Sequence, residues 1–118
     1  MRKTELERAG ELLARRDYGE GELLARGFSA DTLRTLVERG FVNDDRTIRS
    51  FLLGHAKWGR PRVRAALEAR GFRSEDVEEA LAEWPPEEER ARALGLPYKK
   101  LLPLGFDPDD IDFLRPEE

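Results

Sequence analysis

The chain has 118 residues, 39% hydrophobic and 39% charged, with a formal net charge of −4 and no cysteine. That is material for one domain or a short array of small modules, and the balance suits a thin helical body better than a thick sandwich. Disulfides and thiolate metal sites are excluded. With no apolar run near the roughly 18 residues a membrane span needs and no signal-peptide core, the reading is a soluble, cytoplasmic protein without membrane contact.

Leu6, Ala9, Leu12 and Leu13 recur at helical spacing, and Thr4 with Glu7 has the pattern of a capping box, so a first helix is predicted over 4–16. Asp17-Tyr18-Gly19 breaks it. A short second helix carries Leu23 and Leu24 and ends at Gly27, the residue favoured in the left-handed turn after a helix. Ser29 caps a third helix with Leu33, Leu36 and Val37 on one side, closed by Gly40. Asn43 or Asp44 opens a fourth, bearing Ile48, Phe51 and Leu52, and Lys57-Trp58-Gly59 reads as a loop. Pro61 falls in the first turn of a fifth helix, where its missing N–H is harmless. Val63, Ala66 and Leu67 form that helix's buried stripe, and Gly71-Phe72 ends it. Ser74 is read as the cap of a sixth helix, with Val77, Ala80, Leu81 and Trp84 facing inward and Pro85-Pro86 as its stop. A helix over 86–94, one over 98–104 interrupted by Pro103, and a short last helix begun by Asp107-Pro108 complete the chain. No strand pattern is present.

One cassette occurs three times: Leu23…Gly27-Phe28…Leu33…Leu36, Leu67…Gly71-Phe72…Val77…Ala80, and Leu101…Gly105-Phe106…Ile111…Leu114. In each, Leu stands four residues before Gly, and apolar residues follow the Gly by six and nine. Such self-similarity predicts tandem modules. The expected fold is all-α: three three-helix modules at about 4–40, 43–84 and 86–116, the last curtailed, forming one elongated domain over 1–118. Each module has too few apolar residues to stand alone, so neighbours must bury one another's ends.

The net charge hides a segregation. From Arg46 to Arg73 there are eight basic residues and one acid, and from Glu75 to Glu89 eight acids and no base. The candidate contact residues are Arg46, Arg49, Lys57, Trp58, Arg60, Arg62, Arg64 and Arg70. Guanidinium groups pair bidentately with phosphate or carboxylate, so the run could meet DNA phosphates or an acidic partner. It could equally be a solvated face tied by salt bridges to the acidic helix that follows. Arg60 and Arg64 share one flank of the buried stripe and Arg62 takes the other. The acidic stretch reads as helix-dipole compensation and linker. Trp84 reads as packing, Trp58 as the better interface candidate, and the lone His55 as the buried edge of its helix. Asp44-Asp45 reads as a cap rather than a paired-carboxylate site. No serine has a plausible histidine partner and no phosphate-cradling Gly-x-x-x-x-Gly-Lys loop occurs. The sequence therefore predicts no enzyme, no metal and no cofactor.

Leu13-Ala14-Arg15-Arg16-Asp17-Tyr18, Gly27-Phe28, Gly40-Phe41-Val42-Asn43-Asp44-Asp45-Arg46 and Trp58-Gly59-Arg60-Pro61-Arg62-Val63-Arg64…Leu67…Arg70-Gly71-Phe72 resemble the RecX family of recombinase regulators. The match runs over about 4–84, and beyond that only the module pattern continues. The resemblance implies a bent array of three-helix repeats that lodges along the RecA–DNA filament. It further implies inhibition of filament growth, ATP hydrolysis and strand exchange in recombination, DNA repair and the SOS response, with direct DNA binding in some members. The chain departs from the family pattern in a shorter helix before Gly27, in Gly19 at that helix's start, in Thr47-Ile48 where Phe-Ala is usual, and in a curtailed, acidic third repeat. The rival readings are a helix-turn-helix protein, whose reading helix would lack Asn and Gln for base contacts, and a plain helical scaffold. A monomer is expected.

Overall fold

Short-range hydrogen bonds set the helix starts. In the computed structural model, which describes residues 2–117, the Glu7 amide donates to the Thr4 hydroxyl at 3.1 Å, and the Thr4 amide donates to the Glu7 carboxylate. Helix α1 (Glu5–Leu13) thus begins with the predicted capping box. Glycines start α2 (Glu20–Ala25) and α5 (Arg60–Ala69), Ser29 caps α3 (Ala30–Glu38), and Asn43 rather than Asp44 caps α4 (Asp44–Gly54). Helices α6 (Ser74–Leu81) and α7 (Glu87–Leu94) follow, then the single turn α8 (Tyr98–Leu101) and 3-10 turns at Leu102–Leu104 and Asp112–Leu114. Among the described residues there is no strand.

Several boundaries differ from the sequence reading. Helix α1 stops at Leu13, where the amides of Arg15 and Arg16 both turn back to the Leu12 carbonyl. Ser74 is not a cap. Arg73 holds that position, and the Ser74 hydroxyl donates to Glu68 at 3.3 Å. Trp84 lies beyond the end of α6, in the turn before Pro85. Pro103 has no N–H to continue the helical ladder, so α8 tightens into a 3-10 turn. Asp107 accepts the Asp109 amide at 2.9 Å in a local turn rather than starting a helix. The third unit is therefore one helix of eight residues with short turns, not a three-helix bundle.

The cassette is a helix terminator. Gly27, Gly71 and Gly105 all have positive φ, at 93°, 92° and 93°. After each, the phenylalanine amide donates to the carbonyl of the leucine five residues earlier: Phe28 to Leu23, Phe72 to Leu67, Phe106 to Leu101. This is the Schellman arrangement, in which the residue after the glycine packs back onto the leucine it bonds. It explains both the Gly and its spacing from Leu. The buried phenylalanines fall into three separate cores. One gathers Tyr18, Leu23, Leu33 and Val42, the next Ile48, Val63, Leu67 and Leu81, the last Ala91, Leu101 and Ile111. The cores lie in a body 69 × 24 × 19 Å, with a radius of gyration of 18.0 Å. A compact chain of this size has about 13 Å.

Glycine also makes the joints. A methyl on Gly21, in the first turn of α2, would lie 2.9 Å from the Gly71 carbonyl oxygen, and one on Gly19 would lie 2.6 Å from the Phe72 ring. At the second joint the Gly59 amide donates to the Leu104 carbonyl at 2.9 Å, and a methyl on Gly59 would overlap the backbone of Gly105 and Phe106. In both, the glycine end of one module seats on the N-terminus of the preceding module's second helix.

Charge closes each seat. Arg70 donates to Glu22 at 2.8 and 3.1 Å across the first joint, and Arg16 adds a contact at 3.2 Å. At the second, buried Arg90 pairs with buried Glu87, donates to the carbonyls of Ala56 at 3.0 Å and Trp58 at 2.6 Å, and stacks 3.6 Å from the Trp84 ring centre. Glu87 also accepts the Arg60 amide at 3.0 Å. Burial pushes the Arg90 pKa below its usual value even beside Glu87.

Two outcomes follow from the joints. Gly59→Ala forces backbone apart and should destabilise the protein by about 1–3 kcal/mol. Gly10→Ala, on an open face of α1, should stabilise by roughly 0.5–1 kcal/mol through helix propensity. Urea unfolding of both variants checks the contrast. For Glu22, burial raises the pKa, but the hydrogen bonds from Arg70 and Gly19 outweigh it and leave the pKa below 4.5. Its stabilising contribution is therefore full above that ordinary value and is lost as pH falls through the lower, folded-state value. Glu22→Gln should flatten the decline in melting temperature below about pH 4.5, and an unchanged profile would show that Glu22 is not the group responsible.

Candidate functional site

The basic run folds onto the acidic run. Helix α6 packs against both α4 and α5, which carries its carboxylates to arginines on those helices. Arg49 bonds Asp45 at 3.0 Å and pairs with Glu83. Arg64 pairs with Glu78, whose carboxyl is held below its usual pKa by that hydrogen bond. Arg60 donates to the carbonyls of Trp84 at 2.9 Å and Pro85 at 3.2 Å and lies 3.4 Å from Glu87. Arg70 reaches Glu22 in the first module, as above. These four side chains are all in internal ion pairs: the acidic stretch supplies the counter-charge of Arg49, Arg60 and Arg64, and Glu22 that of Arg70.

The other four candidates are placed differently. Arg46 donates to the carbonyls of Gly40 at 3.1 Å and Phe41 at 3.4 Å and keeps an exposed surface. Lys57 is exposed and has no ion pair among the described residues. Arg62 donates to the Pro103 carbonyl at 3.0 Å and lies 3.9 Å from the centre of the Trp58 ring, with the rest of its head exposed. Trp58 itself is half-buried, packed on the second core and against His55 at 4.3 Å between ring centres. His55 ends α4, stacks on Phe51 at 4.0 Å and has its Nδ1 2.8 Å from the Phe51 carbonyl. Arg46, Lys57 and Arg62 thus form the outward cationic part of the predicted set.

Two features escaped the sequence reading. Arg90 is the buried centre of the second joint, signalled only by Glu87 three residues before it after a double proline. Arg8, Arg15 and Arg26 are exposed on the first module and make no ion pair among the described residues. The first module also has an apolar groove of about 390 Å³ lined by Leu6, Leu13, Leu36 and Phe41. Among the described residues no group of three or more His, Asp or Glu could hold a metal ion, and no helix is long and apolar enough to cross a membrane.

No protein-family model matches the chain. The chain is 36% identical over 85 residues to the regulatory protein RecX of Pseudomonas savastanoi pv. phaseolicola (strain 1448A / Race 6), and equally to that of Pseudomonas syringae pv. tomato (strain ATCC BAA-871 / DC3000). Each match covers 64% of this chain and 55% of the relative, so the chain spans about half the length of these proteins. In fold, it superposes on the crystal structure of RecX from Lactobacillus salivarius with a TM-score of 0.71 at 18% identity, covering 93% of this chain and 91% of the other. A second crystal structure, of a regulatory protein RecX, gives a TM-score of 0.70 at 16% identity, covering 93% and 70%. The chain is thus similar in sequence to RecX regulatory proteins over 85 residues and shares the helical fold of RecX crystal structures over nearly all of its length.

Proposed function

We propose that the chain is a cytoplasmic regulator that lies along a RecA-type recombinase–DNA filament and restrains it, slowing subunit addition and ATP hydrolysis without chemistry of its own. The observation that carries this reading is the shape: a body 69 Å long and about 20 Å thick, with its joints fixed by glycine seats and by the ion pairs Arg70–Glu22 and Arg60–Glu87. A rod of that kind can touch successive subunits of a fibre and resist their relative motion. Arg46, Lys57 and Arg62 are the proposed contacts, with Trp58 holding the Arg62 plane. Arg49, Arg60, Arg64 and Arg70 keep the rod's geometry rather than meeting the partner. The helix-turn-helix alternative loses support, because Arg60 and Arg64 on the would-be reading helix α5 are tied to Glu87 and Glu78.

The test is the single-stranded-DNA-dependent ATPase of the cognate recombinase. Saturating protein should lower the rate severalfold, and the double variant Lys57→Ala, Arg62→Ala should need a higher concentration for the same effect. An ATPase rate unchanged at saturating protein would remove the proposal.

A further inference from the structure

The first two modules can be laid over one another. The fully buried Ala9 of α1 corresponds to the fully buried Ile48 of α4, and Leu12 and Leu13 correspond to Phe51 and Leu52. The cassette pairs Leu36 of α3 with Ala80 of α6. This register sets Leu6 against Asp45, Gly10 against Arg49 and Arg39 against Glu83. In the second module those three positions make a clasp. Arg49 on α4 bonds Asp45 at 3.0 Å and pairs with Glu83 beyond the end of α6, which closes the face between the two helices.

The first module has no such clasp. Gly10 carries no side chain to reach across, and a methyl built on it would meet nothing within 4 Å. Leu6 stands in place of the acid, and Arg39 is exposed with no ion pair among the described residues. The face is instead the groove of about 390 Å³, floored by buried Leu36 and half-buried Leu13. Its walls are Leu6, 40% exposed, and Phe41, 57% exposed. Arg39 is the one charged side chain that lines it, and no carboxylate does. Arg46 adds a second cation beside Phe41, whose carbonyl it meets at 3.4 Å.

An apolar trough with an unpartnered guanidinium is completed by apolar side chains and a carboxylate from outside, where the second module supplies its own. An amphipathic helix offers both, with apolar residues at i, i+3, i+4 and i+7 and an acid on the flank. A guanidinium–carboxylate bond then fixes its direction in the groove. We propose that the groove between α1 and α3 docks an acidic amphipathic helix of a partner protein, with apolar side chains over Gly10 and a carboxylate on Arg39. The groove belongs to the first module, whereas Lys57 and Arg62 belong to the second. Failure here and failure of the filament reading are therefore separable.

The probe is a fluorescein-labelled, alanine-based peptide of about fifteen residues, near the length at which isolated helices form. It carries leucine at i, i+3, i+4 and i+7 with flanking glutamates, and its counterpart has lysine for each glutamate. Anisotropy is read on the full chain. The net charge of −4 favours the lysine peptide, so preference for the glutamate peptide reports the groove. The wild type should bind the glutamate peptide at least about tenfold more tightly than the lysine peptide. Arg39→Glu should reverse that order. Gly10→Glu gives Arg39 an internal carboxylate, the mirror of Arg49 with Glu83. It should weaken binding of the glutamate peptide at least about tenfold with an unchanged circular dichroism spectrum. Lys99→Glu and Lys99→Gln, which match the two charge changes on the third module, and the double variant Lys57→Ala, Arg62→Ala should bind as the wild type does. Absence of binding, equal affinity of the wild type for both peptides, or equal losses in Gly10→Glu and Lys99→Gln would overturn the proposal. A dimer of the chain alone that Gly10→Glu dissociates would also overturn it, because a second copy would then be the occupant.

Discussion

Everything in this rod depends on how closely one backbone can approach another at two points. The carbonyl of Gly71 faces the first turn of α2, and the Gly105 peptide lies over the start of α5. A carbonyl at a helix N-terminus meets the positive end of the helix dipole, and at the second seat the Gly59 amide also donates to the Leu104 carbonyl. That attraction acts only at short range, and any side chain at Gly21 or Gly59 would hold the partners apart. The three cores are small, so a loosened seat would expose apolar surface on both sides of it. Gly19 meets the same constraint, since the Phe72 ring fills the space a side chain would need.

Around these seats the charges act as fasteners. Opposite charges well separated in sequence meet because α6 doubles back on α4 and α5, and because α7 begins beside the start of α5. The pairs differ in character. Arg49 with Glu83 and Arg64 with Glu78 are on the surface, where such pairs add little stability. Arg90 with Glu87 is buried, and losing one partner would strand the other without water. At the second joint the carbonyls of Ala56 and Trp58 use the remaining Arg90 donors.

Much of the fold was legible in the sequence. The all-helical class, the elongated array, the Thr4–Glu7 capping box and the cap at Ser29 could be read because they depend on residues within a few positions of one another. The triple cassette was visible as a pattern, and its glycine end as a helix stop. Its second use, as the seat on the preceding module, was hidden, because Gly21 and Gly71 are remote in the chain. The same holds for the arginines. Read linearly, Arg46 to Arg73 is a basic patch, but in space Arg49, Arg60, Arg64 and Arg70 have partners. The third unit was read as curtailed with a break at Pro103, as the structure has it; its last segment was read as a helix, but Asp107 makes a local turn and only a 3-10 turn at Asp112–Leu114 follows.

Three cores joined in series also give the protein a mechanical character. Bending or torsion applied at one end can reach the other only through two narrow bearings, each a glycine contact pinned by an arginine. The middle unit, held from both sides, is the stiff shaft. The outer units are arms whose angle is set by a few ångströms of backbone, so a small displacement at either bearing is magnified at the tips of the lever.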